Sequence, residues 1–383
     1  MALRLVSIFT LIVTVGLGAM FTLIYSTHTF KKDPIELCPS EPSQSVRALS
    51  MLNSKRKISY VLVVTHPRSG STLTGDIIQK YENSFYAFEP LRFAAESMQL
   101  GQTVIYLNGT KRNYNYTRDA VWVEADLVYR WFTCDFCRIN IKDLKSKFIQ
   151  SYSTNLQAYA YCLKRNKYGS VSQCVPYLQR TCEKARVRAI KTVRLFSLET
   201  ISILLKRIPH LKIVYLVRDP RGRLASQAAL DPTEWNIVKD QSRTMCTQLH
   251  EEIRYLTEIW KLYSEQVKIL MYERFAIFPI ETSKRLFSFL GLDFDKYLQV
   301  FVRSVTSGSV DNAGCYWCTK KTNSQKTAVN WRKSIKYDYV KIIDDQCSDV
   351  YHQLGYINIK NEDHLRNTSN SLVSERNLTC LLL

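Results

Sequence analysis

Residues 60–78 constrain the fold of this 383-residue chain most, because they combine a buried strand, a hydroxyl-rich loop and a helix start. Residues 60–64 form a continuous apolar run rich in valine, which is typical of a central strand in a parallel sheet. Pro67 ends that strand, and Gly70 permits a tight turn. The segment therefore predicts a strand that leads through a short loop into a helix, as in α/β proteins.

This loop predicts an anion-binding site near residue 70. Ser69, Ser71 and Thr72 supply hydroxyls beside a helix N-terminus, where the first N–H groups lack partners and the helix dipole is positive. Arg68 adds a charge that suits a phosphate. Because no lysine follows Gly70, the loop is not a Walker A motif and suits one terminal phosphate better than a magnesium-bound triphosphate. The alternative is an ordinary turn in which serine and glycine serve geometry alone.

A second predicted strand also ends in basic residues. Residues 213–217 form another buried run. Arg218, Arg221 and Arg223 follow it, and Ser226 lies about two turns into the next helix. Ligands of open α/β sheets bind outside the carboxyl ends of the strands. The two strand ends therefore predict two phosphate sites for one nucleotide. The alternative for this segment is a turn in which Asp219 forms a salt bridge with an arginine.

Together the two segments resemble the Golgi carbohydrate sulfotransferases, in the branch that sulfates the 6-hydroxyl of galactose, N-acetylglucosamine or N-acetylgalactosamine. THPRSGST, at residues 65–72, is similar to that family's 5′-phosphosulfate loop, and LVRDPRGRLAS, at 216–226, is similar to its 3′-phosphate segment. The resemblance extends over residues 58–357. It includes the shorter stretches FEP, AIKTVRL, MYERF, FLGL and NWRKSI. His66 and Pro67 depart from the family pattern, which bears on how the chain enters the loop.

The resemblance implies the donor 3′-phosphoadenosine 5′-phosphosulfate (PAPS) and the residues that hold it. The residues implied for the 5′-phosphosulfate are Arg68, Ser69, Gly70, Ser71 and Thr72. Arg218 and Ser226 are implied for the 3′-phosphate. Arg332, in NWRKSI, is implied at the nucleotide or in a loop that closes over it. No metal is expected, because no carboxylate cluster accompanies the phosphate loop.

A base must accept the proton of the sugar hydroxyl, and Glu89 in FEP is the candidate. The alternative for Glu89 is a structural carboxylate that pairs with Arg92 or caps the next helix. His66 is a rival base, because it lies in the loop itself, although a single loop histidine is more often structural or solvated. Lys191 is a candidate for stabilising the leaving phosphate.

The N-terminus predicts a membrane anchor. Residues 5–25 are uncharged and mostly apolar, and about 20 such residues span a bilayer. A cleaved signal peptide is the rival interpretation, although its apolar core is usually shorter. We expect a cytoplasmic tail at 1–4, the anchor at 5–25, a stem at 26–57, a luminal domain at 58–357 and a C-terminal tail at 358–383. That order describes a single-pass type II protein of the Golgi membrane.

Cysteines, sequons and charge agree with a luminal glycoprotein. The chain has 11 cysteines, and sequons occur at Asn108, Asn115, Asn367 and Asn377. The pairs Cys134/Cys137 and Cys315/Cys318 are too far apart for a zinc ribbon, so disulfides are favoured. The odd count leaves one thiol over, for which Cys380 is the candidate. The net charge of +19 predicts an acidic partner, and in the lumen a glycan or proteoglycan fits better than nucleic acid. A homodimer formed through the anchor or stem is a further hypothesis.

The remaining pattern predicts an α/β fold, a P-loop-like parallel sheet flanked by helices. The expected strand and helix pairs are 60–64 with 72–80, 188–193 with 197–207, 213–217 with 222–229, and 267–272 with 280–290, and a long helix covers 240–264. Residues 100–186 show no clear periodicity and are interpreted as an irregular insertion that shapes the acceptor cleft and is pinned by Cys162, Cys174 and Cys182.

Two other classes of function stay open at this point. One is an ATP-dependent kinase, which the missing lysine of the phosphate loop disfavours. The other is a non-catalytic glycan-binding membrane protein built on a sulfotransferase scaffold. The presence of Arg68, Arg218, Ser226 and Glu89 disfavours that second class.

Overall fold

A computed structural model of the chain describes residues 58–166, 170–308, 322–374 and 381–383. Internal contacts divide the chain into the units Met1–Val46 and Arg47–Leu383, and every described residue belongs to the second unit. Within these ranges no helix has the length and apolar character that a bilayer crossing requires. The predicted anchor and stem lie outside the described residues and stay predictions.

Five parallel strands form the central sheet. The strands of the described residues are β1 (Ser59–Thr65), β2 (Ser84–Phe88), β3 (Val104–Ile105), β4 (Lys111–Arg112), β5 (Val187–Thr192), β6 (Lys212–Val217) and β7 (Val267–Met271). The sheet has the order β2-β5-β1-β6-β7, whereas β3 and β4 pair with each other in an antiparallel ladder. Strand β1 is central, and residues 61–64 of its apolar run are buried, as expected for a strand covered on both faces.

Helices occupy most of the remaining described chain. They are α1 (Ser71–Gln79), α2 (Arg92–Gln99), α3 (Tyr116–Thr133), α4 (Ile141–Leu144), α5 (Lys147–Tyr152), α6 (Gln157–Arg165), α7 (Val175–Lys184), α8 (Glu199–Arg207), α9 (Pro220–Ala228), α10 (Val238–Leu262), α11 (Tyr272–Ile277), α12 (Pro279–Leu290), α13 (Lys296–Thr306), α14 (Ser324–Val329), α15 (Trp331–Ser334), α16 (Tyr337–Gln346), α17 (Ser348–Leu354) and α18 (Glu362–Arg366).

Successive side chains of β1 pack against opposite layers, because side chains alternate between the two faces of a strand. Val61 and Val63 belong to the apolar core formed with α1, α12 and α13. Tyr60 points the other way, and its ring centroid lies 5.5 Å from that of Phe132 in α3. The sheet is therefore covered by helices on both faces, and the predicted α/β class is confirmed.

The strand and helix pairs expected from the sequence are present, with ends shifted by a few residues. Two expectations fell short. The short aromatic strand β2 was not predicted, although it forms one edge of the sheet. Residues 100–186 are not irregular, since they contain α3 to α7. Helix α3 buries Ala120, Leu127 and Trp131 along one face, a spacing that charged and tyrosine residues between them obscure in the sequence.

Three disulfides join pairs of described cysteines, two of them within this helical insertion and one between α10 and the C-terminal helices. Cys134 at the end of α3 bonds to Cys182 in α7, and Cys162 in α6 bonds to Cys174 just before α7. Cys246 in α10 bonds to Cys347, which follows α16. The preference for disulfides over zinc is confirmed for Cys134, and the insertion is pinned as expected. Cys315, Cys318 and Cys380 lie outside the described residues.

The last three residues extend the sheet beyond β7. The Ile269 N–H donates to the Leu381 carbonyl, and the Leu383 N–H donates to the Ile269 carbonyl, each at 2.9 Å. Leu381 and Leu383 are buried, and Leu383 joins the apolar core. An exposed edge strand presents unpaired backbone groups. The chain's own C-terminus therefore covers the β7 edge.

Removal of residues 381–383 should lower the free energy of unfolding by about 3 kcal/mol or more, since two buried leucines and two backbone hydrogen bonds are lost. Urea denaturation of the full chain and the shortened chain would measure this. The matched control is Leu382→Ala, because Leu382 is only half-buried between the two contacts. An unchanged denaturation midpoint in the shortened chain would contradict this account of the tail.

Candidate active site

The loop between β1 and α1 has a strained backbone that its neighbours hold in place. Arg68 has a φ of 66° and Gly70 a φ of 87°, both in the left-handed region. A Cβ on Gly70 would lie 2.3 Å from the ring of Tyr272. Any other residue at position 70 would therefore clash as well as strain the backbone. Tyr272 begins α11 directly after β7, so the loop is supported from the far side of β6.

The N-terminus of α1 is open to an anion. Gly70 occupies the N-cap position, and no side chain among the described residues caps it. The first N–H groups of the helix consequently have no intrahelical acceptor. Ser69 and Ser71 are buried beside them, and Thr72 is partly exposed. The predicted loop residues are thus gathered at one helix N-terminus, the geometry that binds phosphate groups.

The two predicted phosphate segments meet. Arg68 Nε donates to Ser226 Oγ at 3.0 Å, and Arg218 Nη1 donates to the Arg68 carbonyl oxygen at 2.8 Å. The Arg218 guanidinium carbon lies 4.7 Å from the centre of the Tyr272 ring. Burial and, to a smaller extent, the Arg218 charge lower the pKa of Arg68. An anion placed between these two cations would offset their repulsion.

The neighbouring arginine, Arg221, has a structural role. Its Nη2 lies 2.8 Å from Asp219 Oδ2, and its Nη1 lies 3.3 Å from Asp344 Oδ1 in α16. Arg221 is fully buried, and Asp219 also caps α9 by accepting from the Arg221 N–H. The salt-bridged turn considered for this segment is therefore correct for Arg221, whereas Arg218 faces the phosphate loop.

Glu273 of α11 supports the turn at Asp219. Its Oε1 accepts a hydrogen bond from the Asp219 N–H at 2.9 Å, and its Oε2 accepts from the Tyr356 hydroxyl at 3.0 Å. Burial, and next the negative charge of Asp219, raise the pKa of Glu273 to about 7. Glu273 of α11 and Tyr356 of the C-terminal region thus hold the arginine segment in place.

Glu89 and Lys191 form a buried ion pair at the same edge of the sheet. Lys191 Nζ donates to Glu89 Oε1 at 2.5 Å, and the Val193 N–H donates to Glu89 Oε2 at 3.3 Å. Glu89 follows β2 with a left-handed φ of 51°, and its N–H donates to the Lys191 carbonyl at 2.8 Å. Lys191 also lies 4.3 Å from the centre of the Phe88 ring. Burial lowers the pKa of Lys191, and the charge of Glu89 opposes this.

The alternative pairing of Glu89 with Arg92 is not formed by their side chains. Arg92 instead places its guanidinium carbon 4.4 Å from the centre of the Phe148 ring, while its N–H donates to the Glu89 carbonyl. If the buried Glu89 carboxylate takes up a proton, the Lys191 ammonium beside it loses its counter-charge and can interact with negative charge on a ligand instead. The pair is therefore equipped for acid–base chemistry.

His66 is held by a carboxylate of α10. His66 Nε2 lies 2.6 Å from Glu252 Oε2, and the hydroxyl of Tyr215 donates to the same oxygen. Gln248 Nε2 donates to Glu252 Oε1 at 3.0 Å. One ring nitrogen of His66 is thus occupied within the protein, which fits a role in positioning the loop better than a role as the general base.

Arg332 lies in α15 and is fully buried. Its guanidinium donates to four backbone carbonyls, at distances of 2.6 to 2.8 Å, which belong to His364, Leu365, Asn367 and Asn370. These bonds fasten α18 and the turn after it. A direct contact between Arg332 and the nucleotide stays a prediction, and the bonds seen here assign this side chain a structural role.

The sequence analysis did not identify four supporting residues: Tyr272, Glu273, Glu252 and Glu124. Tyr272 lies within MYERF, so that motif was the signal available. Glu124 is fully buried in α3, and its Oε2 accepts from the Phe196 N–H at 2.9 Å. Among the residues that the structure describes, no cluster of three or more His, Cys, Asp or Glu side chains could hold a metal ion.

Comparison with known proteins shows the family of this chain. The family model described as "Sulfotransferase family" matches residues 61–296. The chain therefore belongs to the sulfotransferase family, and the resemblance inferred from its motifs is confirmed.

Several relatives are similar over most of their length, at low identity. Carbohydrate sulfotransferase 1 of Danio rerio is 24% identical over 96% of both chains. Carbohydrate sulfotransferase 1 of Homo sapiens is 26% identical over 85% of both, and carbohydrate sulfotransferase 6 of Homo sapiens is 23% identical over 83% of this chain and 86% of its own length.

Solved structures with some likeness include the sulfotransferase domain of the Synechococcus PCC 7002 olefin synthase, with a TM-score of 0.38 and 16% identity, covering 76% of this chain and 96% of the domain. Retinol dehydratase in a complex with retinol and PAP has a TM-score of 0.39 and 18% identity, covering 77% of this chain and 82% of its own.

The buried carboxyl of Glu124 predicts a pH-dependent stability. Burial raises its pKa from 4.5 to about 8, although the hydrogen bond from Phe196 opposes the shift. The folded state therefore holds a proton that the unfolded state has released, and stability should fall as pH rises from about 4.5 to about 8. Glu124→Gln should flatten this slope, by on the order of 1 kcal/mol per pH unit.

Urea unfolding at pH 6, 7 and 8 measures this slope. Glu183→Gln is the control, because Glu183 is exposed at the surface of α7. Equal slopes for the native chain and Glu124→Gln would show that Glu124 is ionised in the folded protein.

Proposed function

We propose that this protein transfers a sulfuryl group from PAPS to the 6-hydroxyl of galactose, N-acetylglucosamine or N-acetylgalactosamine in a glycan or glycosaminoglycan. One observation carries the proposal: the phosphate loop, Arg218 and the Glu89–Lys191 pair lie at the same carboxyl edge of a parallel sheet. Membership of the sulfotransferase family and similarity to proteins named carbohydrate sulfotransferases support it.

The donor-binding residues fit a molecule with two phosphate positions. Arg68, Ser69, Gly70, Ser71 and Thr72 would hold the 5′-phosphosulfate at the uncapped N-terminus of α1. Arg218 and Ser226 would hold the 3′-phosphate. Two features of the site support this fit: the proximity of two cations, and the Arg218 Nε, which is buried without a hydrogen-bond partner among the described residues. When bound, PAPS supplies an activated sulfuryl group with a nucleotide phosphate as its leaving group.

Glu89 would accept the proton of the sugar hydroxyl, and Lys191 would stabilise the negative charge that develops on the leaving phosphate. Glu89 accepts the proton of the attacking hydroxyl at Oε2, the oxygen with the longer contacts, at 3.3 Å to Val193 and 3.9 Å to Arg194. As the negative charge of Glu89 is neutralised, the Lys191 ammonium becomes available to stabilise the charge that builds on the leaving phosphate. Hydrogen-bond donors around the loop stabilise the charge on the transferred oxygens.

We place the enzyme in the Golgi membrane as a single-pass type II protein with a luminal catalytic domain. Three disulfides support an oxidising compartment. The sequon asparagines Asn108, Asn115 and Asn367 are exposed. The apolar residues 5–25 would anchor the chain, the acceptor would be an acidic glycan or proteoglycan, and a homodimer formed through the anchor or stem remains part of the proposal.

Transfer of labelled sulfate from PAPS by the full-length protein to a panel of galactose, N-acetylglucosamine and N-acetylgalactosamine glycans tests the reaction. Arg218→Ala should weaken PAP binding, measured by calorimetry, about ten- to a hundred-fold, because a charged hydrogen bond to phosphate is lost. Arg254→Ala, an exposed arginine of α10, is the control. No transfer to any glycan, together with no PAP binding by the native protein, would refute the proposal.

Glu89→Gln should lower kcat by about 10²- to 10⁴-fold with PAP affinity retained, because the proton acceptor is lost. The change also leaves Lys191 without its carboxylate, so stability should fall. The double variant Glu89→Gln/Lys191→Met removes the unpaired charge and should regain stability without regaining activity. Recovery of activity along with stability in the double variant would mean that the pair is structural only.

A further inference from the structure

The segment between β5 and α8, residues 193–198, is held by the carboxyl groups of two glutamates. The Val193 N–H donates to Glu89 Oε2 at 3.3 Å, and the Phe196 N–H donates to Glu124 Oε2 at 2.9 Å. The Arg194 N–H additionally donates to Thr192 Oγ1 at 3.0 Å. A loop with its backbone bonded in this way has a defined shape and can present side chains in fixed positions.

Two side chains of this segment point outward. The Arg194 side chain is 42% exposed, and Phe196 is 40% exposed. The Phe196 ring contacts Tyr116 at the start of α3 edge-on, with ring centroids 4.8 Å apart. The Tyr116 hydroxyl in turn accepts a hydrogen bond from Gln99 Nε2 of α2 at 2.9 Å. Two aromatic rings from separate elements are therefore locked together at the surface.

This aromatic pair lies close to the candidate base. Val193 N is 3.3 Å from Glu89 Oε2, and Phe196 is three residues further on, so its backbone lies within about 10 Å beyond that contact. Arg194 Nε lies 3.9 Å from the same Glu89 oxygen. A sugar ring that packs on Phe196 would therefore lie near the reacting hydroxyl without occupying the position of the sugar that carries it.

The side chains of Arg194, Phe196 and Tyr116 indicate which class of ligand this surface can bind. An exposed aromatic face packs against the apolar C–H face of a sugar ring, and an adjacent arginine binds a sulfate or carboxylate through charged hydrogen bonds. A single exposed phenylalanine needs no explanation, but here a second ring, a cation and a two-point backbone anchor coincide beside the base.

We propose that Arg194, Phe196 and Tyr116 form an acceptor subsite that binds a sulfated or carboxylated sugar next to the residue being modified. This inference rests on the proposed function and deepens it. The enzyme would then add sulfate to a glycan that is already acidic. Arg194 and Phe196 would be the residues that determine this specificity.

Calorimetric binding of glycans to the full-length protein tests the subsite without requiring turnover. The probes are a sulfated and an unsulfated N-acetyllactosamine oligosaccharide of equal length. The variants are Phe196→Ala, Phe196→Tyr and Arg194→Gln. The controls are Tyr177→Ala, an exposed aromatic of α7, and Arg285→Gln, an exposed arginine of α12. PAP binding is measured separately on each protein.

Phe196→Ala should weaken the binding of both oligosaccharides about three- to ten-fold, and Phe196→Tyr should restore it. Arg194→Gln should weaken the binding of the sulfated oligosaccharide about ten-fold or more and leave the binding of the unsulfated one nearly unchanged. The controls should bind as the native chain does. This pattern supports the subsite, and loss confined to the sulfated probe is the part that a merely structural role would not produce.

Unchanged glycan binding in Phe196→Ala and Arg194→Gln, or no glycan binding by the native protein, would overturn the subsite. If the native protein still binds PAP and transfers sulfate in that case, the proposed function stands alone. If instead the native protein binds glycans through Phe196 and Arg194 but binds no PAP, the subsite stands and the sulfotransferase proposal falls.

Discussion

The parallel register of β5 between β2 and β1 is the constraint on which the site depends. Lys191 is paired in register with Phe88 on one side and Val63 on the other, so its side chain has to leave the sheet next to the residue that follows β2. That residue is Glu89. Because all five strands run in the same direction, the phosphate loop after β1 and Arg218 after β6 emerge at the same edge. The chemistry of four separate chain segments converges there.

Burial divides the positive charges of this edge into two kinds. Arg221 is neutralised within the protein by Asp219 and Asp344, and it stabilises the turn. Arg68 and Arg218 contact a hydroxyl, a carbonyl and an aromatic ring, and their mutual repulsion contributes to the lowered pKa of Arg68 after burial itself. A ligand with fixed negative charge relieves that repulsion, so the same fold that buries one arginine for stability prepares two others for binding.

Local sequence was sufficient for the parts of the fold that repeat simple patterns. The continuous apolar runs of β1 and β6 and the turn residues after them were readable, because buried parallel strands and helix starts have strong local signatures. Strand β2 and helix α3 were missed. The first is short and aromatic, and the second mixes buried Trp131 with exposed charged residues, so their apolar faces become evident only when disulfides and neighbouring rings are in place.

The sequence by itself determined which residues are able to bind phosphate and accept a proton, because those properties belong to Arg68, Arg218 and Glu89 as side chains and to a glycine-turned helix start as a local structure. Only the tertiary structure decided their partners. Glu89 pairs with Lys191 rather than Arg92, and Arg332 fastens a C-terminal turn. Such partners lie 32 to 102 residues apart, and no local pattern encodes contacts that arise only when distant segments are packed together.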